Sequence, residues 1–193
     1  MTKVFLQPGL LGLSGGMGGW VYQVRKGKTV VGMKSRRTKE PSQAELNRRE
    51  RFKEAAAFGK FAMADPALRE FYEPIAQQRN LTVYTLAVGD FLNEPSIKPL
   101  DLSNYKGQIG DPIKIRAIDD IGLADMDVTL TAIDGTNIES GKAVETGVGS
   151  GKWTYTATAQ VALGSDIFIK VVGVDHAGTK AQITENPIVG SDE

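Results

Sequence analysis

Residues 113–118 read IKIRAI, with an apolar side chain at every second position. The same alternation recurs in three later segments, 128–133 (VTLTAI), 153–157 (WTYTA) and 167–172 (IFIKVV). A period of two is typical of strands that bury one face, and turns rich in Asp and Gly separate these segments. Several short strands at this spacing predict an all-β sandwich for residues 95–193.

The sequence of residues 20–33 predicts a β-hairpin. WVYQV at 20–24 alternates with a period of two, and TVVGM at 29–33 resumes extended character after a turn that contains glycine. One face of this hairpin carries Trp20 and Tyr22, and we expect it to be buried against helices or against a neighbouring molecule.

Helices are predicted after the hairpin. Ser42 and Glu45 have the spacing of a capping box, which marks the start of the first helix. Asp65 followed by Pro66 has the form of an N-cap and a first-turn proline, so a second helix is predicted there. Pro74 is expected to kink or restart that helix, because proline removes a backbone donor.

A third helix is predicted from apolar residues between 81 and 92. They are Leu81, Tyr84, Val88, Phe91 and Leu92. The β-branched residues of this segment leave a strand open as an alternative. Two prolines in 93–99 (NEPSIKP) then separate the two patterns. The predicted fold class is therefore α+β with two domains: 1–94 contains a glycine-rich arm, a basic β-hairpin and a helical module, and 95–193 contains the sandwich.

Four segments of the C-terminal half carry a resemblance. They are the turn 117–122 (AIDDIG), the Asp134-Gly135 hairpin, the strand 153–157 and the segment 171–178 (VVGVDHAG). On these segments, residues 96–188 resemble a bacterial immunoglobulin-like or fibronectin-III-like module. The resemblance implies an immunoglobulin-like β-sandwich. The chain has no cysteine, which agrees with bacterial versions of that fold.

The N-terminal half carries a second resemblance, on scattered residues between 12 and 92. They are Gly15, Gly16, Met17, Gly18, Gly27, Lys28, Pro41, Gln43, Arg49, Phe52, Ala55, Lys60, Asp65, Pro66, Tyr72 and Ala76. This half is similar to small uncharacterised proteins found in Bacteroidota genomes and near phage or prophage genes. The resemblance implies no activity and favours a phage-like structural role.

The zero net charge of the chain conceals an asymmetry. Residues 1–94 carry fifteen Lys and Arg against nine Asp and Glu, a net charge of +6, and residues 95–193 carry eight against fourteen, a net charge of −6. Opposite signs suggest a basic arm with a binding role or head-to-tail attraction between copies. Two domains of unlike composition with solvated faces would give the same numbers.

The glycine cluster before Trp20 is predicted to contact a neighbouring subunit. A phosphate-binding loop of the Walker or Rossmann type opens a helix, whereas Gly19 leads into a predicted strand, so a nucleotide site is not expected. Glycines adopt positive φ and let another backbone approach closely. The candidate subunit-interaction residues are Gly15, Gly16, Gly18, Gly19, Trp20, Tyr22 and Val30.

Basic residues of the hairpin and its exit form a candidate nucleic-acid site. They are Arg25, Lys26, Lys28, Lys34, Arg36 and Arg37. Clustered Lys and Arg neutralise phosphates and give salt-sensitive binding. The residues between them are aliphatic, so the stacking rings typical of single-strand binding are missing.

A calcium site is a further candidate, at Asp119, Asp120 and Asp175. Calcium takes six to eight oxygen ligands, and these aspartates lie in turns at the ends of predicted strands. Aspartate is also a common turn former, which is the alternative explanation. We expect no cofactor, because motifs that bind transition metals are absent from the sequence. We also expect no enzymatic activity, because the sequence has no nucleophile elbow that could pair with the single histidine, His176.

The sequence therefore favours a non-catalytic structural protein that forms oligomers, such as a phage-like virion or filament component. Residues 1–37 would contact other copies or other assembly proteins, and the sandwich would be displayed. The alternatives are nucleic-acid binding, and a carbohydrate- or cell-surface-binding module that uses Trp153 and Tyr155. No signal-peptide pattern or membrane-spanning apolar run occurs, so we expect synthesis in the cytoplasm, no membrane partner, and work in a virion or other extracellular assembly.

Overall fold

The computed structural model describes residues 14–25, 28–34 and 40–190. Contacts divide the chain into two compact units, Met1–Leu46 and Asn47–Glu193. Most of the helical segment therefore belongs to the same unit as the C-terminal strands. The boundary predicted between residues 94 and 95 separates two domains that would fold independently. Compact units defined by contacts do not test independent folding, so this boundary stays a prediction. Helices and antiparallel sheets occur together, so the α+β class is confirmed.

The first unit contains a three-stranded antiparallel sheet in the order β1-β2-β3. Its strands are β1 (Gly15–Met17), β2 (Trp20–Arg25) and β3 (Lys28–Met33). The predicted hairpin is confirmed as the β2–β3 pair. The strand β1 was not predicted; it joins β2 through a two-residue turn in which Gly18 has a φ of 56°, a conformation that glycine adopts without strain.

Three helices follow, α1 (Gln43–Ala64), α2 (Pro66–Gln78) and α3 (Val83–Leu92). The predicted N-cap of α2 is confirmed, because Asp65 Oδ1 accepts a hydrogen bond from the Leu68 amide at 2.9 Å. Helix α2 continues through Pro74 and does not restart there. The third segment is a helix and not a strand, and Thr82 caps it by accepting from the Thr85 amide at 3.1 Å.

The remaining strands form two four-stranded antiparallel sheets. One has the order β11-β10-β6-β7 and the other the order β4-β5-β9-β8. The strands are β4 (Ser96–Ile97), β5 (Pro112–Ile118), β6 (Leu123–Ala132), β7 (Asn137–Lys142), β8 (Val144–Glu145), β9 (Lys152–Thr156), β10 (Ile167–Asp175) and β11 (Lys180–Glu185). All four segments that alternate in the sequence lie at least in part in strands.

The two sheets share one hydrophobic core. Strands β5 and β9 contribute Ile113, Ile115, Trp153 and Tyr155, and strands β6 and β10 contribute Met126, Val128, Leu130, Ile167, Ile169 and Val171. Every second residue of these strands is buried, as a period of two requires. The predicted sandwich-like β architecture is confirmed at this level.

The helices have a second, smaller core that reaches the sandwich. It contains Ala62, Tyr72, Ala76, Leu86 and Ala87, and Ile121 of the β5–β6 loop packs against it. Arg79, at the end of α2, donates to Asp120 of the same loop through two nitrogens, each at 2.7 Å. Helices and sandwich are therefore joined at the β5–β6 loop. Among the described residues, no helix has both the length and the apolar character to cross a membrane.

Helix α1 approaches α3 at Gly59, where an added Cβ would lie 2.7 Å from Val88 and 2.9 Å from the Tyr84 ring. We expect Gly59→Ala to lower the free energy of unfolding by about 1 kcal/mol, because overpacking costs more than the gain in helix propensity. The matched control is Gly89→Ala in α3, where an added Cβ meets no atom within 4 Å. That variant is expected to be neutral or more stable in urea denaturation. Equal effects of the two changes would contradict the packing explanation.

Candidate functional site

Three aspartates from distant parts of the sequence meet where the helices join the sandwich. Asp90, Asp119 and Asp175 each offer one carboxylate oxygen, and these oxygens lie within 4.8 Å of one another. We call these three residues the acidic cluster. Asp90 and Asp175 are only 1% and 2% exposed. Two buried carboxylates and a half-buried one therefore share a small volume.

Asp175 extends the core face of β10 to the end of the strand. The residues 167, 169, 171, 173 and 175 are all buried, so Asp175 occupies a position of the apolar face. Its pairing with β6 shifts register between Val174 and Asp175, and bulges of this kind often occur next to functional sites. One oxygen, Oδ1, accepts from the Thr179 amide at 2.6 Å.

Asp119 holds the β5–β6 loop in shape. Its Oδ2 accepts from the amides of Ile121 and Gly122, at 2.9 and 2.7 Å. Gly122 has a φ of 121°, which a residue with a side chain rarely adopts. The loop then leads directly into β6, and Asp119 is the half-buried member of the acidic cluster.

Asp90 lies on the part of α3 that faces the helical core, one turn after Leu86. Its Oδ2 accepts from the Tyr72 hydroxyl at 2.5 Å, and Tyr72 is itself completely buried. Burial, with the Asp90 contact next in size, raises the pKa of Tyr72. The phenol therefore stays protonated and acts as a hydrogen-bond donor to Asp90.

Two carboxylate oxygens of the acidic cluster are buried without a hydrogen-bond partner, Asp90 Oδ1 and Asp175 Oδ2. Burial raises the pKa of Asp90 to about 7, and Asp175 and Asp119 add to the rise against the hydrogen bond from Tyr72. Burial also raises the pKa of Asp175. Unpartnered oxygens cost free energy unless a proton or a cation satisfies them.

The structure brings together two of the three aspartates predicted as calcium ligands. Asp119 and Asp175 lie in the acidic cluster, whereas Asp120 forms an ion pair with Arg79 at 2.7 Å. Sequence reasoning missed Asp90. The sequence signal for a buried Asp90 is weak, because α3 is apolar on several sides. Tyr84 and Val88 of this helix face Gly59 of α1, and Leu86 and Ala87 lie in the helical core. Without a clear stripe, the burial of a single aspartate cannot be read from the pattern.

His176 directly follows Asp175 but is not among the clustered ligands. Its ring stacks on Phe71 of α2, with centroids 3.7 Å apart and an interplanar angle of 23°. Burial lowers the pKa of His176, so the neutral ring is favoured at neutral pH. The side chain joins α2 to the β10–β11 turn by packing.

Glu139 is a buried carboxylate of a different kind. Its Oε2 accepts from the Tyr155 hydroxyl at 3.0 Å, from the amides of Thr158 and Ala159, and from the Thr158 hydroxyl. These bonds fix β7 to β9 and to the residues after it. Glu139 has no second acidic residue beside it within the described clusters, so we assign it a structural role.

The predicted subunit-interaction residues divide between the two faces of the hairpin sheet. Cross-strand partners share a face, so the register groups six apolar residues on one side, with Thr29 beside Val24: Met17, Trp20, Tyr22, Val24, Val31 and Met33. We call this the apolar face. Met17 and Met33 are 66% and 78% exposed, and burial of this face against a neighbouring molecule stays a prediction. Gly15 also belongs to it, Gly18 and Gly19 form the turn, and Gly16 and Val30 lie on the opposite face.

The candidate nucleic-acid residues lie partly on that opposite face. Arg25 and Lys28 pair across the end of the hairpin, and their side chains lie on the same face of the sheet as Gln23 and Val30. Lys34 follows β3 directly and is exposed. Lys26, Arg36 and Arg37 lie outside the described residues. The described cations are thus separated from the apolar face by the thickness of the sheet.

Trp153 and Tyr155 do not form an exposed aromatic platform. Both rings are buried in the sandwich core, and the Tyr155 hydroxyl is held by Glu139. The feature on which the carbohydrate-binding alternative depended is therefore wrong for these two residues, because alternate positions of β9 point into the core.

The raised pKa of Asp90 predicts a pH dependence of stability in the presence of a chelator. Between pH 3.8 and about 7 the folded protein retains a proton that the unfolded chain releases, so the free energy of unfolding falls as the pH rises through this window. Asp90→Asn removes the contribution of Asp90 to this slope. The stability of the wild type relative to the variant should fall by roughly 2 kcal/mol between pH 5 and 8 in urea denaturation. Asp120→Asn should keep the wild-type slope, and parallel curves for wild type and Asp90→Asn would contradict the assignment.

No family model matches the chain, and no curated protein sequence matches it. Among solved structures, it is similar to the crystal structure of CopC from Methylosinus trichosporium OB3b, with 14% sequence identity and a TM-score of 0.37. The similarity covers 48% of this chain and 90% of that one.

Proposed function

We propose that the protein is a non-catalytic assembly protein whose N-terminal hairpin sheet binds a second copy of the chain. The observation that supports this best is the exposed apolar face. It places six apolar side chains in three cross-strand rows of a small sheet. Exposed apolar patches on small elements mark interaction sites.

Covering its apolar face would stabilise this small sheet. Isolated two-stranded hairpins are marginal in water, and independent stability takes three or more strands with a hydrophobic face, or packing against a helix. Here the strands have three, six and six residues, and none of their described residues is fully buried. Packing against another molecule would supply the burial that the sheet lacks.

Charge favours a second copy as that partner. The hairpin belongs to the half with a net charge of +6, and the sandwich belongs to the half with a net charge of −6. Head-to-tail contact between copies brings these halves together. Repeated head-to-tail contacts generate a ring if the rotation closes and a filament if it does not. In this proposal the C-terminal half is an immunoglobulin-like module displayed on the surface of a phage-like virion, a filament or another extracellular assembly that also contains other proteins.

Two valines of the hairpin provide a matched test. Val24 lies on the apolar face and Val30 on the opposite face, and their side chains are 46% and 45% exposed. We expect Val24→Asp to abolish or strongly weaken concentration-dependent association in sedimentation velocity, since it buries a charge at the contact. Val30→Asp is expected to associate as the wild type does.

Salt provides the second arm of this test. Association between oppositely charged surfaces weakens at higher ionic strength. A wild-type chain that stays monomeric at high concentration and at both low and moderate salt would refute self-assembly. Equal loss of association in both valine variants would refute the assignment to the apolar face.

Nucleic-acid binding is the second candidate, and Arg25 and Lys28 support it. They are exposed and adjacent at the end of the hairpin, within a segment, residues 25–53, that has eleven basic and three acidic residues. If this surface binds phosphates, gel retardation of duplex DNA should occur at low salt and be lost at moderate salt. Charge reversal of Arg25 and Lys28 should weaken it, while Val24→Ser should not. No retardation at low salt would exclude this function.

A further inference from the structure

We propose that Asp90, Asp119 and Asp175 bind one hard divalent cation of the calcium class between α3, the β5–β6 loop and the end of β10. The proposal is independent of the assembly function and of the hairpin. It rests on the geometry of the acidic cluster, on its unpartnered oxygens and on its uncompensated charge.

The spacing of the oxygens fits a single ion. Oxygens on opposite sides of a calcium ion lie about 4.8 Å apart, because each bond is about 2.4 Å long. The acidic cluster brings one oxygen of each carboxylate within 4.8 Å of the others. One cation can therefore contact all three carboxylates without a movement of the backbone.

Each carboxylate uses one oxygen for the protein and keeps the other. Asp90 Oδ2 accepts from Tyr72, Asp175 Oδ1 from Thr179, and Asp119 Oδ2 from the amides of its own loop. The second oxygens of Asp90 and Asp175 are buried and have no partner. Hydrogen bonds to the first oxygen of a ligating carboxylate orient it, as in established metal sites. The protein bonds thus hold each carboxylate by one oxygen, and the second oxygens of Asp90 and Asp175 are left for a cation.

No described cation neutralises the acidic cluster. Arg79 lies at the end of α2, and both of its hydrogen bonds go to Asp120. Among the described residues, no ion pair joins a Lys or Arg to Asp90, Asp119 or Asp175. Three carboxylates at this distance repel one another strongly in a buried site. A divalent cation removes that repulsion and also satisfies the two orphaned oxygens.

The ligand set selects a hard cation. All three ligands are carboxylate oxygens, the chain has no cysteine, and the neighbouring His176 is engaged with Phe71. Carboxylates suit calcium, magnesium and manganese, whereas soft or borderline metals prefer sulfur or imidazole. The half-buried Asp119 leaves access for water ligands, which complete the six to eight oxygens of calcium.

The ordinary explanation of turn aspartates does not account for this cluster. Asp101 and Asp134 are turn aspartates of that kind, since they are exposed and their oxygens accept from nearby Ser and Thr groups. Asp90 is in a helix, and Asp175 ends the core face of a strand. Asp175 does hold its own turn, but through Oδ1 alone, which accepts from the Thr179 amide and leaves Oδ2 buried without a partner.

The experiment is a calcium titration of the full chain after treatment with a chelator. Isothermal calorimetry should show saturable binding of one ion per chain, and calcium should raise the midpoint of thermal unfolding, because it binds only the folded state. Asp90→Asn and Asp119→Asn should weaken binding on the order of tenfold or more. The matched control is Asp120→Asn, the same change at the adjacent position, which should bind calcium as the wild type does.

Terbium luminescence gives a readout that does not depend on the aspartate variants. Tb³⁺ occupies calcium sites and is sensitised by a nearby phenol, and the Tyr72 hydroxyl lies 2.5 Å from a carboxylate of the site. Emission excited through tyrosine should appear in the wild type and be displaced by calcium. Tyr72→Phe should lower the emission while calorimetric binding of calcium persists.

Three results would overturn the proposal. The first is the absence of both calcium binding and calcium-displaceable terbium emission in the wild type at millimolar metal. The second is wild-type affinity in Asp90→Asn and Asp119→Asn. The third is an equal loss in Asp120→Asn, which would show that any charge change at this surface has the same effect.

Discussion

The pairing of β6 with β10 is the constraint on which the rest of the larger unit depends. These two central strands are in continuous register over eight residue pairs, with a ninth pair after the register shift, and alternate residues of both point into the shared core. The outer strands β7 and β11 pair with them, and the second sheet packs on the same buried row. The burial of this row supplies the main apolar stabilisation of the sandwich.

The same pair of strands also creates the acidic cluster. The core face of β10 continues past Gly173 to Asp175, at the point where the ladder shifts register. The β5–β6 loop leads into the partner strand at this end, and α2 and α3 cover it through Tyr72, Asp90 and Arg79. A carboxylate therefore stands where the apolar row would otherwise meet the helical core. Carboxylates buried at this junction cost free energy, because they lose their hydration.

The apolar face and the acidic cluster, the two features on which proposals rest, are stabilised by different interactions. The apolar face of the hairpin sheet exposes methionine, tryptophan and valine side chains to water, so its free energy is lowered by covering. The acidic cluster removes carboxylates from water, so its free energy is lowered by neutralisation. Sequence reasoning identified the hairpin and two members of the cluster, since alternation and turn aspartates are local signals. Both Val30 and Trp20 are candidate subunit-interaction residues, and the register puts Val30 opposite Gln23, on the face away from Trp20.

Local patterns in the sequence determined the α+β class, the four sandwich strands β5, β6, β9 and β10, the hairpin and the N-caps at Ser42 and Asp65, because each depends on residues within a few positions of one another. The tertiary structure alone decided the burial of Asp90, the separation of Asp120 from Asp119, and the position of Trp153 and Tyr155 inside the core. Asp90 and Asp119 are brought together by contacts between α3 and a loop that lie far apart along the chain, and such contacts leave no periodic trace. Asp119 and Asp120 are adjacent and have the same local signal, yet Asp120 forms an ion pair with Arg79 whereas Asp119 lies beside Asp90 and Asp175.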